Sequence, residues 1–126
     1  MDIAPRRYAE VTLVSPSGRI DHTNVQAFDA ALRPALDEVG AGGALVLDLS
    51  ALEYVSSVGL RALLVAERQL RDRKAQFIVA GLQSVVREIF AISRFDRVLT
   101  VAATLDEALA LCSIDARAAY RAGGSA

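Results

Sequence analysis

Two adjacent serines, Ser56 and Ser57, lie in "YVSSVGLRALL" (54–64), where an apolar stretch gives way to a leucine-rich amphipathic run. Hydroxyls at such a junction suit two kinds of chemistry. A serine oxygen can accept a hydrogen bond from the free N–H groups of a helix's first turn and so cap the helix. A serine can also receive a phosphoryl group from another protein. The first-turn N–H groups and the positive end of the helix dipole then hold the anion. The spacing makes Ser56 the N-cap and Ser57 the first helical residue.

Other residues with chemical potential are few. His22, the only histidine, falls in a turn without the serine, cysteine or carboxylate pattern of a triad. Asp48 interrupts "LVLDLS" near the carboxyl end of a strand, the functional edge of an α/β sheet. Capping the turn that follows is its simplest job. Cys112 is the single cysteine, which excludes an internal disulfide and a cysteine-cluster metal site. It reads as a small core residue on a helix. Gly42 and Gly43 precede a strand rather than a helix, so they form a turn and not a phosphate cradle. Neither a GxxxxGK[ST] nor a GxGxxG pattern is present. No residue is assigned a catalytic role, and no metal or cofactor is expected.

Composition narrows the class. The chain has 126 residues, 53% of them apolar, enough to bury one core. Net charge is −1, from 14 basic and 15 acidic residues, so neither nucleic acid nor an anionic membrane is an expected partner. The basic cluster Arg68, Arg71, Arg73 and Lys74 suits a solvated helix carboxyl end. The longest uncharged run, "AQFIVAGLQSVV", has 12 residues. A bilayer span takes about 20. "MDIAPRRY" lacks the apolar segment of a signal peptide, and a cytoplasmic protein is expected.

The elements that position the serines follow from hydrophobic period and turn residues. "YAEVTLV" (8–14) reads as a strand, "SPSG" (15–18) as a turn, and "GRI" as a second, hairpin-paired strand. Residues 22–40 read as a helix capped by Thr23 or Asn24 and ended by Gly40. Val25, Phe28, Leu32 and Leu36 share one face of it, and Pro34 predicts a kink or break. "ALVLDLS" (44–50) and "QFIVAGL" (76–82) are nearly continuous apolar runs, as in strands covered on both faces. A helix between them, 57–72, carries Gly59, Leu63, Ala66 and Leu70 on one stripe. Val58, Arg61, Val65, Arg68 and Asp72 lie opposite. A short helix over 83–93, a strand over 97–102 and a helix over 104–114 complete the order β-β-α-β-α-β-α-β-α. Thr104 and Glu107 form a capping box for the last helix. Strands alternating with helices predict an α/β fold, a mixed, mostly parallel sheet of four to five strands with four helices. One face of the sheet is expected to be thinly covered. The whole chain, 1–126, reads as a single domain with a core over 8–114 and a flexible tail over 115–126.

At the serines the chain becomes recognisable. "LVLDLSALEYVSSVGLRALL" resembles the signature of the STAS domain, in which an Asp-Ser-Ser-Gly-Leu segment follows a "DLS" strand and opens a helix. "GRIDHTN" resembles the family's early Gly-x-Leu-Asp turn, and "FIVAGLQSVVREIFAISRFDRVLTVAATLDEAL" its second half. The likeness spans residues 8 to 112. It implies a bacterial anti-sigma-factor antagonist that acts by partner switching. Such a protein binds an anti-sigma factor that is also a serine kinase of the histidine-kinase-like ATPase fold. The kinase ends the interaction by phosphorylating the first serine of the motif, and a metal-dependent serine phosphatase restores it. Aligning on Gly59-Leu60 puts Ser57 at the phosphorylated position, Asp48 on the strand-end aspartate and Asp21 on that of the early turn. The chain departs twice from this pattern. Ser56 stands where the family commonly has Asp, which keeps a capping oxygen, removes a charge and leaves Ser56 as a second candidate acceptor. Val58 stands in place of the second serine and adds an apolar contact. The implied partner surface is therefore Asp21, Asp48, Ser56, Ser57, Val58, Arg61 and Val65. STAS domains also serve as unphosphorylated accessory subunits of transport ATPases, which is the alternative the resemblance allows.

Overall fold

The polar turn Ala9–Glu10 splits the first apolar stretch into β1 (Arg6–Tyr8) and β2 (Val11–Val14), which pair antiparallel. The computed structural model describes residues 3 and 5–123. Ala9 takes a positive φ of 52° to make that turn. The hairpin therefore lies inside the stretch read as one strand. It does not join 8–14 to "GRI", because an alanine in the left-handed region gives no sequence signal. β3 (Gly18–Ile20) leaves the sheet and pairs parallel with β5 (Leu52–Val55), a strand absent from the expected order. Only Leu52 and Val55 of β5 are buried, so its four residues lack the period that marks a strand.

The main sheet has five strands in the order β1-β2-β4-β6-β7, with β4 at Ala44–Asp48, β6 at Gln76–Ala80 and β7 at Thr100–Ala102. All neighbours except β1 and β2 are parallel. The mixed, mostly parallel sheet is as expected. Side-chain alternation sends Leu45, Leu47, Phe77 and Val79 to one face and Ala44, Val46, Ile78 and Ala80 to the other. Burial on both faces explains why β4 and β6 read as continuous apolar runs. The expected strand over 97–102 is shorter, because Phe95–Arg97 forms a 3₁₀ turn after Arg94 adopts a left-handed φ of 63°.

On the first face lie α1 (Val25–Glu38), α2 (Ser57–Asp72) and α3 (Ser84–Ser93), together with the β3–β5 pair. α1 runs unbroken through Pro34, which is exposed and leaves its unpaired carbonyl partner on the solvent side. The second face is covered by α4 (Leu105–Cys112) and α5 (Ile114–Arg121). α5 corrects two expectations. Among the described residues there are five α-helices, and residues 114–121 are structured where a flexible tail was expected from 115. Residues 124–126 of that tail lie outside the described ones. Ser113 Oγ caps α5 by accepting from the Ala116 N–H (3.1 Å). Ala116 is fully buried, and the Tyr120 ring meets Tyr8 edge-on at 5.6 Å. Asp106 accepts from Arg121 (2.8 and 2.9 Å) and from Arg117 (3.1 Å), tying α5 back to α4. Few large apolar residues occur in "IDARAAYR", so its docking was hidden in a pattern of alanines.

Candidate functional site

The serines stand at the carboxyl end of the β3–β5 pair, where β5 turns into α2. The Ser56 N–H donates to the Ile20 carbonyl of β3 (2.9 Å), continuing the β3–β5 ladder by one step. Ser56 is extended (φ −86°, ψ 175°), and its Oγ accepts from the Gly59 N–H at 3.4 Å. It is thus the N-cap. Ser57 is the first helical residue and is exposed. The helix end is held by backbone pairing on one side and by close packing on the other. A Cβ on Gly59 would come 2.7 Å from Val55 Cγ2 and 2.9 Å from Ile20 Cγ2. Only hydrogen fits there, which lets the amino end of α2 lie directly on the β3–β5 pair.

Asp21 follows Ile20 and organises the adjoining turn. Its carboxylate accepts from the N–H (2.9 Å) and the hydroxyl of Thr23. These two bonds, the hydroxyl's first, hold its pKa below the usual aspartate value. Asn24, the N-cap position of α1, uses its side chain differently from an ordinary cap. Its Oδ1 accepts from the Asp21 N–H (2.9 Å), and its Nδ2 donates to the Arg19 carbonyl (2.6 Å). Arg19 lies 4.3 Å above the Tyr54 ring on the neighbouring strand and 3.9 Å from the Asp21 carboxylate. Asn24 was a capping candidate from sequence, whereas Arg19 and Tyr54 were not singled out. The register Arg19↔Tyr54 that joins two of them depends on a strand pairing the sequence did not reveal. His22 is exposed within this turn.

Asp48 is half-buried at the end of β4, and its Oδ1 accepts from the Ser50 N–H (3.0 Å), closing the turn that leads into β5. The same oxygen lies 3.3 Å from where a Cβ on Gly81 would stand. The turn-capping job expected for Asp48 is therefore met. It is bonded on the β4–β6 side, whereas Asp21 is tied to the β3–α1 turn.

Beside Ser57 a groove of about 260 Å³ runs between α1 and α2. Val58, Arg61 and Val65 of α2 form one wall, as their outward spacing suggested, with Val65 47% exposed. The other wall is Val25, Asp29 and Arg33 of α1; the sequence placed Val25 on the helix's apolar face but did not mark Asp29 and Arg33. Their spacing of four residues is a stripe, but its meaning depends on which helix lies alongside. Ser57 is not itself in the lining; it directly precedes Val58, the first α2 residue of the groove.

Elsewhere the chemistry is quiet. Cys112 is half-buried, and burial raises its thiol pKa to about 11, with Glu10 adding to the effect, so the reactive thiolate is suppressed. Among the described residues no group of three or more His, Cys, Asp or Glu is arranged to hold a metal ion. No helix among them is long and apolar enough to cross a membrane.

The chain matches the model of the STAS domain family over residues 2–108. It is 35% identical over 101 residues to the anti-sigma-F factor antagonist RsfB of Mycobacterium tuberculosis, covering 79% of each protein. A solved anti-sigma factor antagonist from Mycobacterium paratuberculosis is similar in structure with a TM-score of 0.76. It is 29% identical, over 86% of this chain and 90% of that one. The fold is shared at 20% identity by the Bacillus cell fate determinant SpoIIAA in its phosphorylated form (TM-score 0.61, 86% and 97% of the two chains).

Proposed function

The chain belongs to the STAS domain family, and from that premise we propose that it is an anti-sigma-factor antagonist controlled by phosphorylation of Ser57. In this reading the α2 face and the α1–α2 groove bind an anti-sigma factor that is also a serine kinase. Transfer of a phosphoryl group to Ser57 ends the interaction, and a serine phosphatase reverses it. The likeness to RsfB and to the Mycobacterium paratuberculosis protein supports the antagonist role. SpoIIAA, solved in a phosphorylated form, supports this fold as one that carries the modification.

The observation that carries the proposal is the division of labour between the two serines. Ser56 Oγ is half-buried and engaged as the cap, whereas Ser57 is exposed and not needed to hold the helix. The cap therefore survives modification of its neighbour. A phosphate on Ser57 brings about −1.5 to −2 charges to the amino end of α2, where N–H groups and the dipole favour it. Arg61 lies one helical turn further on, at the i,i+4 position from which it can pair with the phosphate. A partner seated over Val58, Arg61 and Val65 then faces a desolvated dianion and loses Arg61 as a contact. Burying the negative charge that Arg61 leaves uncompensated costs about 2–5 kcal/mol, or some 30- to 5,000-fold in affinity.

Incubation with ATP, magnesium and the cognate anti-sigma kinase tests this directly. One phosphate is expected on Ser57, and Ser57→Ala is expected to accept none. Phosphate mapped to Ser56, or none with a kinase that binds the chain, overturns the assignment.

A further inference from the structure

The two edges of the main sheet differ in character. β1 carries Arg6 and Arg7, both exposed, and charges on an edge strand oppose pairing with another edge. β7 is uncharged, as is the whole run from Val98 to Leu105. The ladder to β6 fixes which of its backbone groups are free. The Ala102 carbonyl accepts from the Gly81 N–H (3.4 Å), and Thr100, two residues earlier, faces β6 in the same sense. Val101, between them, turns both its N–H and its carbonyl away from the sheet. Apolar side chains flank this edge, with Val101 38%, Val98 51% and Leu111 57% exposed. A shallow, mostly apolar groove of about 420 Å³ runs between β7 and α4, with Leu111 and Ala110 on its helical side.

We propose that β7 is the contact edge of a symmetric homodimer, pairing antiparallel with β7 of a second copy so that the two sheets become continuous. The self-complementarity argues for a second copy as occupant. Val101 is the middle residue of a three-residue strand. A two-fold axis perpendicular to the sheet, passing beside Val101, gives two reciprocal hydrogen bonds between Val101 and its copy. The next outward positions are Leu99 and Ala103. The Leu99 N–H is already used by the Phe95 carbonyl (2.8 Å), which leaves the Leu99 carbonyl for the Ala103 N–H of the copy. The axis keeps α4 and its copy on the same face, so Leu111 meets its own counterpart across the groove. Charge agrees as well. Exposed Arg97 precedes the strand and exposed Glu107 follows it, and antiparallel pairing brings the Arg97 end of each chain to the Glu107 end of the other. Of the groove's two helices, α1 packs on β2, three places from β7, whereas α2 packs on β6, next to β7, and its Glu67 and Arg71 line a cleft with Thr100 and Leu111; the groove residues Val58, Arg61 and Val65 lie on the side of α2 that faces α1. The dimer therefore presents two independent Ser57 sites.

Sedimentation velocity of the full chain over a concentration series, with amide exchange at Val101 followed by nuclear magnetic resonance, tests the proposal. The expected result is a reversible dimer. Its Val101 amide is protected at high concentration and exchanges freely on dilution. Val101→Lys is expected to be monomeric with an unchanged melting temperature. Arg97→Glu is expected to weaken the dimer several-fold, and adding Glu107→Arg in the same chain to restore it. The exchange and charge-swap measurements decide the matter if Val101→Lys fails to fold. A wild-type chain that is monomeric at hundreds of micromolar overturns the proposal. So does a dimer whose Val101 amide stays unprotected. Protection of Val101 that appears only when an anti-sigma factor is added assigns the edge to that partner and overturns it too.

Discussion

The two serines do different things because one backbone step separates an extended residue from a helical one. Ser56, at ψ 175°, aims its oxygen back at the Gly59 N–H; Ser57 is already in the helix and aims outward. Ser57→Glu is therefore expected to leave the melting temperature within about 2 °C of wild type, since surface changes away from a cap cost within about 0.5 kcal/mol. Its affinity for the anti-sigma factor should fall at least tenfold, as titration calorimetry would show. A large loss of stability would return Ser57 to a capping role. Two residues on, the constraint is steric. Gly59→Ala puts a Cβ against methyl groups of two stiff β-branched side chains, Val55 and Ile20. A destabilisation of about 1–3 kcal/mol is expected from such overpacking, readable as a lower urea midpoint with an unchanged slope.

Between elements, the α4–α5 clamp carries a pH dependence of definite sign. The hydrogen bonds from Arg121, with the nearby Arg117 charge, hold the Asp106 carboxyl below its ordinary value. A depressed folded-state pKa stabilises the docked helix at all pH values above the unfolded pKa. That contribution is lost as pH falls through the folded value. Acid titration should therefore loosen α5, seen as loss of the near-ultraviolet signal of Tyr120 against Tyr8. Asp106→Asn should be weaker at neutral pH and lose part of the wild-type acid dependence. Equal acid slopes in both proteins would show that the clamp adds nothing. α5 lies beyond residue 108, where the match to the family model ends, yet it closes the second face of the sheet.

For the whole molecule, the sheet separates two surfaces. The first-face helices α1 and α2 form the groove lined by Val58, Arg61 and Val65, and β7, the last strand in the order, forms a free edge beside β6. Val65 belongs to the first surface. Val65→Asp should reduce binding of the anti-sigma factor by roughly 10- to 100-fold, the scale of an interface anchor. It should shift folding stability by only about 0.5 kcal/mol, as an exposed site does. Unfolding of the variant, measured by circular dichroism, would place Val65 in the core instead.

The sequence by itself determined the elements whose residues repeat at one period over a long enough run. α2 spans the expected residues 57–72, with Gly59, Leu63, Ala66 and Leu70 buried and Val58, Arg61 and Val65 turned outward. β4 and β6 were legible for the same reason. Burial on both faces leaves no polar alternation to confuse the reading. The N-cap role of Ser56 and the turn closed by Asp48 follow from local chemistry, and they too were readable. Tertiary structure alone decided the rest. β5 has too few residues for a period and forms only because β3 lies beside it. The β1–β2 turn uses an alanine at positive φ, which pairing with β2 holds in place. α5 docks through small residues and one tyrosine whose partner, Tyr8, is more than a hundred positions away. The second wall of the groove beside Ser57 likewise exists only because α1 folds against α2. Short-range patterns fix how a segment folds, but which segments meet depends on contacts that no local window contains.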